Sequence, residues 1–137
     1  MDNKRQKELI VTLESCVDMK NVDLKLYFEE LKSHGKNISA NQTFKDILGF
    51  CSVLGNEERL KIIEILKQQD YCVCELEVML DKSQPTISHH LRELERIGLI
   101  GSFKKGRFTH YDINPEKLNY YLNLIHENFI SLKSKKM

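Results

Sequence analysis

The sequence predicts a mainly α-helical fold with one β-hairpin near the C-terminal third of the chain. Apolar side chains recur every three or four residues along most of the sequence, which is the repeat of amphipathic helices. Only around residues 100–113 does the pattern change, to two short runs of strand-forming residues separated by a glycine-containing turn. With 137 residues and 41% hydrophobic content, the chain is long enough to bury a core without disulfide bonds.

The first elements form an N-terminal helical extension. Apolar spacing predicts a helix from Arg5 to Met19 and a second helix that ends at Gly35. The polar stretch Lys36–Gln42 is typical of a connector, so we place a domain boundary there, between residues 1–42 and residues 43–137. We expect the extension to supply dimer-forming or lid helices.

Two helices then begin the second domain. Thr43 and Asp46 have the spacing of a capping box, and the helix that follows has an apolar stripe including Cys51, which we expect in the core. Asn56 is a typical N-cap for the next helix, which is expected to turn Leu60 inward.

A short helix from Cys72 to Leu80 precedes a longer one from Pro85 to Ile97, and Asp81-Lys82-Ser83 joins them. A hairpin follows, with strands Ile100–Lys104 and Arg107–Ile113 around Lys105-Gly106. These are the elements of a winged helix-turn-helix with a two-stranded wing. A last helix, Pro115–Leu132, carries a narrow apolar stripe suited to a seam between helices, either within one chain or between subunits.

The charge supports a nucleic-acid partner. The formal net charge is only +1, but Asn56–Asp81 has seven acidic and three basic residues, whereas Lys82–Tyr111 has six basic and two acidic. Such a basic segment indicates phosphate contacts, although a solvated surface is the alternative. The longest run without charged residues, Ile47–Asn56, has ten residues, too short to cross a bilayer, so no membrane partner is expected.

The predicted helix from Pro85 to Ile97 has an inner face formed by Ile87, Leu91 and Leu94, so its other side faces outward. His90 falls nearer the inner face. We therefore expect double-stranded DNA to contact outward residues of this helix and basic residues at the hairpin tip, which read base edges and bind phosphates respectively. The candidates are Ser83, Gln84, Thr86, Ser88, His89, Arg92 and Arg96 from the helix, and Lys104, Lys105 and Arg107 from the hairpin.

Enzyme chemistry and export are not expected. The sequence has no glycine-rich phosphate loop, no nucleophile elbow and no convergent acid–base cluster. The N-terminal residues mix charges with a short apolar run and do not resemble a secretory signal, which favours a cytoplasmic protein with reduced cysteines.

Three segments in register resemble the ArsR/SmtB family of metal-sensing repressors: Leu54–Ile63, Tyr71–Ile100 and Gly106–Ile113. The resemblance implies a homodimer in which the N- and C-terminal helices form the interface. It also implies binding to an operator palindrome without any required cofactor, and release from that operator when an effector binds.

The Cys72-Val73-Cys74 motif lies where soft-metal sensors of that family carry a cysteine pair, which implies arsenic(III) or another soft ion as effector. Residues two apart on a helix point about 200° apart, so we expect an ion held by both sulfurs to distort the helix. The family's simplest arsenic site has a third cysteine at the position of Glu77. Cys16 is therefore the candidate third ligand, unless it is a buried structural cysteine.

The sequence thus predicts a repressor that a thiophilic ion releases from DNA. Two alternatives stay open. The cysteines could instead respond to oxidation, or the protein could be a DNA-binding regulator whose cysteines sense nothing.

Overall fold

The computed structural model describes residues 1–16, 22–130 and 132, and the chain divides into two compact units, Met1–Phe44 and Lys45–Met137. None of the described helices is long and apolar enough to cross a membrane.

The N-terminal unit contains α1 (Asn3–Cys16) and α2 (Leu24–Ala40). Asp23 caps α2, because its carboxylate accepts hydrogen bonds from the backbone N–H groups of the first turn at 3.0 and 3.2 Å. Phe28 is the buried residue of this helix. The predicted end of the first helix at Met19 lies outside the described residues.

The predicted helix end at Gly35 and the connector at Lys36–Gln42 are wrong, because α2 continues through Gly35 to Ala40. An exposed glycine inside a helix costs only about 1 kcal/mol relative to alanine, and the residues after it are compatible with helix. Asn41 separates α2 from α3 (Gln42–Leu54), and its side chain accepts a hydrogen bond from the Phe44 N–H at 3.1 Å. Capping by Asn41 replaces the predicted Thr43 capping box.

Asn56 caps α4 (Glu57–Leu66) as predicted, accepting a hydrogen bond from the Arg59 N–H at 3.1 Å. Two predicted inner residues are exposed: Cys51, and Leu60 at 49%. The core instead takes Phe50 and Val53 from α3, which turns the Cys51 side of that helix outward.

The helix-turn-helix consists of α5 (Val73–Leu80) and α6 (Gln84–Arg96). Asp81 ends α5 in the left-handed conformation, with φ of 52°, and Ser83 is the extended N-cap of α6. The two helices meet in the main core of the second unit, to which both contribute fully buried side chains: Leu76, Ile87, Leu91 and Leu94.

The wing is larger than the predicted two-stranded hairpin. β2 (Ile100–Lys105) and β3 (Phe108–Ile113) form that hairpin, and β1 (Tyr71–Cys72) adds a third antiparallel strand, in the order β1-β3-β2. The hairpin turn is Gly106-Arg107 rather than Lys105-Gly106, since the first turn position requires the positive φ that Gly106 adopts, +66°.

The last helix, α7 (Pro115–Phe129), ends before the predicted Leu132, which is exposed and non-helical. Tyr121 anchors α7: its ring stacks on Phe50 at 5.0 Å and its hydroxyl donates to the Ile97 carbonyl at 3.1 Å. Several large apolar side chains of α3, of α7 and of the residues that follow α7 are exposed in the single chain: Phe44, Leu48, Leu122, Phe129, Ile130 and Leu132.

Candidate nucleic-acid interface and thiol site

The buried residues on the inner side of α6 determine which side of the helix faces solvent. Ile87, Leu91 and Leu94 are at most 1% exposed, so the side chains on the opposite side of the helix must face solvent. Gln84, Thr86, His89 and Arg92 are exposed there, and Ser88 is half-buried at the edge. This arrangement matches the outward set expected from the sequence, with donors and acceptors that suit base edges.

His90 lies on the inner side of α6, as its position in the sequence predicts, and is 8% exposed. The Arg59 guanidinium lies 3.2 Å from its Nδ1, and Arg59 Nε donates to the Val53 carbonyl at 2.6 Å. Burial, together with the Arg59 charge, lowers the pKa of His90. Since guanidinium only donates, His90 Nδ1 is an acceptor, and the neutral ring ties α6 to α4.

Three of the candidate DNA contacts already have protein partners. Arg96 donates to the Glu93 carboxylate at 3.0 Å, and that hydrogen bond lowers the pKa of Glu93. The hydroxyls of Ser83 and Thr86 lie 3.0 Å apart in the first turn of α6. Arg92 forms no ion pair in the part of the chain that the structure describes, and its charge is therefore available to a phosphate or a base.

The wing places three exposed basic side chains at its tip, as predicted. Lys104 donates to the Thr109 hydroxyl at 2.7 Å, and Arg107 lies 5.7 Å from the centre of the Phe108 ring. Lys105 extends back to Asp70, with an N–O distance of 3.5 Å. These lysine contacts are exposed and hence weak, so DNA phosphates can replace them.

The thiol pair lies where β1 becomes α5. Cys72 is the extended N-cap residue and is buried, whereas Cys74 lies in the first turn and is exposed. Their sulfur atoms are 2.6 Å apart. The expectation that the two sulfurs point about 200° apart is therefore wrong, because Cys72 belongs to the strand and not to the helix.

The surroundings of Cys72 keep its thiol protonated. Burial raises the pKa of Cys72 to about 11, and the neighbouring Cys74 and Glu75 act in the same direction. The backbone N–H of Cys72 donates to Glu75 Oε1 at 3.1 Å, and this bond holds the pKa of Glu75 below its usual value. Glu75 thereby caps the helix that begins at the thiol pair.

A cavity of about 280 Å³ opens beside the two cysteines. Its lining includes residues from three elements: the start of α5, the first residue of α6 and the wing. Those residues are Cys72, Val73, Cys74, Glu77, Gln84, Arg107, Phe108 and Thr109. The thiols therefore share one cavity with two of the candidate DNA-binding residues, Gln84 and Arg107.

His110 is a neighbour of the thiol site that the sequence analysis missed. It pairs directly with Cys72 across β1 and β3, which puts both side chains on one face of the sheet. Among the described residues, Cys72, Glu75 and His110 each place a donor atom within 4.8 Å of the other two. No local signal in the sequence reveals it, because Tyr71–Cys72 is a two-residue strand and the sequence predicts a helix from Cys72.

Cys16 and Cys51 are both exposed free thiols. Cys51 lies on α3, and Cys16 is the last residue of α1 in the N-terminal unit. The structure thus brings Cys72 and Cys74 together, and the third position of the predicted ligand set stays a prediction.

This combination of buried helix pair, basic outward helix face and sheet wing defines a winged helix-turn-helix DNA-binding regulator. Residues 56–102 match the family model described as "Bacterial regulatory protein, arsR family". The cadmium resistance transcriptional regulatory protein CadC of Listeria innocua is 36% identical over 98 residues, which are 71% of this chain and 80% of CadC. The arsenical resistance operon repressor of Escherichia coli is 42% identical over 64 residues, 46% of this chain and 55% of the repressor.

Comparison with solved structures gives the same class of protein. An ArsR-like transcriptional regulator from Rhodococcus sp. RHA1 superposes with a TM-score of 0.59 at 26% identity, over 64% of this chain and 83% of that one. The chain belongs to the ArsR family of bacterial regulatory proteins. Its relatives are transcriptional regulators, which confirms the predicted DNA-binding class and the prediction that the chain is not an enzyme.

Proposed function

We propose that the protein is a cytoplasmic, homodimeric repressor that leaves its operator when a thiophilic ion binds Cys72 and Cys74. The observation that supports this most directly is the pair of sulfurs 2.6 Å apart, in a cavity that Gln84 and Arg107 also line. An ion bound there acts within a few ångströms of two candidate DNA contacts.

The donor set fits a soft ion. Two adjacent thiolates prefer ions such as arsenic(III), cadmium, lead or copper(I). Two relatives are named for resistance to cadmium and to arsenicals, which supports the same group of effectors. Cys16, exposed at the end of α1, is the proposed third thiolate ligand.

Release follows from a geometric conflict at the start of α5. Two sulfurs bound to one tetrahedral ion at about 2.3 Å are about 3.8 Å apart. The sulfurs now lie 2.6 Å apart, so the ion must separate them, and we propose that the junction of β1 and α5 shifts as the two side chains move apart. Because α5 packs on α6 through Leu76 and Ile87, that shift changes the position of the recognition helix. The ion then favours the conformation that binds DNA less well.

DNA is held by the outward face of α6 and by the wing, and the operator is contacted by two copies of the chain. The exposed apolar residues of α3 and α7 supply the contact between the copies. On each copy the proposed DNA-binding residues are Ser83, Gln84, Thr86, Ser88, His89, Arg92, Arg96, Lys104, Lys105 and Arg107.

Fluorescence anisotropy of the reduced protein on its own promoter fragment tests this function. Arsenite, cadmium, lead and zinc are added in turn, with magnesium as a control. We expect at least one thiophilic ion to weaken operator binding about 5- to 150-fold, the usual range for allosteric coupling, and magnesium to have no effect. Tight binding that no ion disturbs would contradict the ion-responsive part of the proposal and leave the DNA-binding part intact.

Oxidation of the thiol pair is the second candidate, because the short distance between the sulfurs also suits a redox pair. We favour the ion, because two relatives are named for resistance to cadmium and to arsenicals. Release by diamide under conditions in which no ion releases DNA would favour the redox function instead.

Arg92→Ala should weaken operator binding by about 1–3 kcal/mol, because this exposed α6 charge has no ion-pair partner to lose in the described chain.

Replacing Lys104 and Lys105 with alanine should reduce the slope of log affinity against log salt by about 2, with little loss of sequence preference. Titrations at several salt concentrations against specific and scrambled DNA separate the two effects. An Arg92→Ala protein that binds like wild type at every salt concentration would remove α6 from the interface.

A further inference from the structure

We infer that the thiol site takes a divalent ion of the zinc or cadmium type through a mixed set of donors, with His110 and Glu75 as ligands beside Cys72 and Cys74. This inference rests on the proposed ion-responsive function and deepens it, because it assigns a wing histidine to the site. It also changes the ion that the site prefers, and Cys16 is then not needed to complete the coordination.

The first support is the grouping of donors. Cys72, Glu75 and His110 each bring one donor atom within 4.8 Å of the others, and the Cys74 sulfur lies 2.6 Å from that of Cys72. These three residues and Cys74, which lies outside the group of three, make four ligands, the number that a tetrahedral zinc ion takes from cysteine, histidine and acidic residues.

The second support is the orientation of the histidine. His110 Nδ1 lies 2.8 Å from Asp70 Oδ2, which leaves Nε2 as the ring nitrogen for an ion. A carboxylate behind a histidine is the usual arrangement at metal sites, because it fixes the ring and increases its basicity.

The third support is rigidity. Antiparallel pairing sets Cys72 opposite His110, and β3 is hydrogen-bonded on its other side to β2. The backbone of His110 therefore cannot move away from that of Cys72 without breaking the sheet. Glu75 is held by its hydrogen bond from the Cys72 backbone at 3.1 Å, and its second oxygen can serve an ion while the first keeps the cap.

The mixed donor set predicts selectivity. Imidazole and carboxylate are good ligands for zinc-like divalent ions, whereas thiolates are the donors that soft ions select. An ion held by all four residues joins the start of α5 to the middle strand of the wing. Zinc or cadmium binding should therefore depend on His110, while arsenite, which takes only sulfur, should not depend on it.

The test compares His110→Asn with His126→Asn, an exposed histidine of α7 that serves as the matched control. Asparagine can keep a hydrogen bond to Asp70 but removes the Nε2 donor. Zinc and cadmium affinities are measured by competition with a chromophoric chelator, and cobalt(II) absorption spectra report the coordination geometry. Because the variant loses a ligand, we expect His110→Asn to bind zinc and cadmium at least about 100-fold more weakly and to lose intensity in the tetrahedral cobalt bands. His126→Asn should match wild type.

Glu75→Gln, which keeps an oxygen for the Cys72 backbone N–H, is the second variant and serves if His110→Asn does not fold. It should weaken the binding of zinc and cadmium. Unchanged zinc and cadmium affinity in the folded variants would overturn the inference. Release by arsenite that persists in both variants but needs Cys72 would show that the proposed function survives. If no ion binds in a manner that depends on Cys72, the proposed function fails as well.

Discussion

Replacing Cys72 with serine is expected to abolish ion-induced release while the variant still binds its operator. Loss of hydrogen-bonding partners behind a metal ligand costs about 10- to 100-fold in affinity, so loss of the ligand itself should cost at least about 100-fold. Cys72 is the residue shared by the sulfur pair and by the group with Glu75 and His110, so its loss affects both. Serine is close to cysteine in size, and the backbone N–H that bonds Glu75 is unchanged.

The measurement is operator anisotropy with increasing cadmium or arsenite, on wild type, Cys72→Ser and Cys51→Ser. Cys51 is an exposed thiol of α3 and controls for the general loss of a cysteine. We expect Cys51→Ser to release DNA like wild type. If Cys72→Ser also releases DNA at wild-type ion concentrations, the effector site is elsewhere in the protein.

Leu94→Ala is expected to lower the free energy of unfolding by about 2–5 kcal/mol, the range for truncating a fully buried leucine. Leu94 is 0% exposed and lies in the core cluster with Leu76 and Leu99, which joins α5, α6 and the start of the wing. The loss is a large part of the roughly 5–15 kcal/mol that stabilises a typical domain, so operator binding at 37 °C should fall as well.

Urea denaturation followed by circular dichroism measures this loss, at one protein concentration because the proposed dimer would contribute to stability. Val78→Ala is the matched control, since this side chain of α5 is 81% exposed and its truncation should change the free energy by less than about 0.5 kcal/mol. Equal stabilities for the two variants would contradict the assigned core.

Much of the fold could be predicted because its signals are local. The inner face of α6, the N-cap at Asn56 and the glycine turn of the wing are all decided by residues a few positions apart. The error at β1 comes from an element that needs a partner distant in sequence. β1 has only two residues and exists because β3 pairs with it, about 40 positions later in the chain. No local pattern of that length distinguishes such a strand from a turn.

The candidate site also has parts that the sequence predicts and parts that it does not. The outward face of α6 and the cysteine pair follow from spacing along the chain. The distance between the two sulfurs does not, because it depends on Cys72 being extended rather than helical. His110 and Asp70 join the site only through sheet pairing, so spacing on one helix could not reveal them. Cys51 shows the opposite error, since a local apolar stripe placed in the core a side chain that the tertiary packing leaves exposed.

The pairing of Cys72 with His110 determines which insertions and deletions the wing can accept. Deleting one residue between His110 and Asn114 shifts His110 by one position in its pairing with β1 and β2. Because side chains alternate along a strand, the histidine side chain then points to the other side of the sheet. A longer loop at Gly106-Arg107 changes only the end of the hairpin farthest from Ile100 and Ile113. Chains related to this one can therefore vary the length of the tip without altering the pairing of Cys72 with His110.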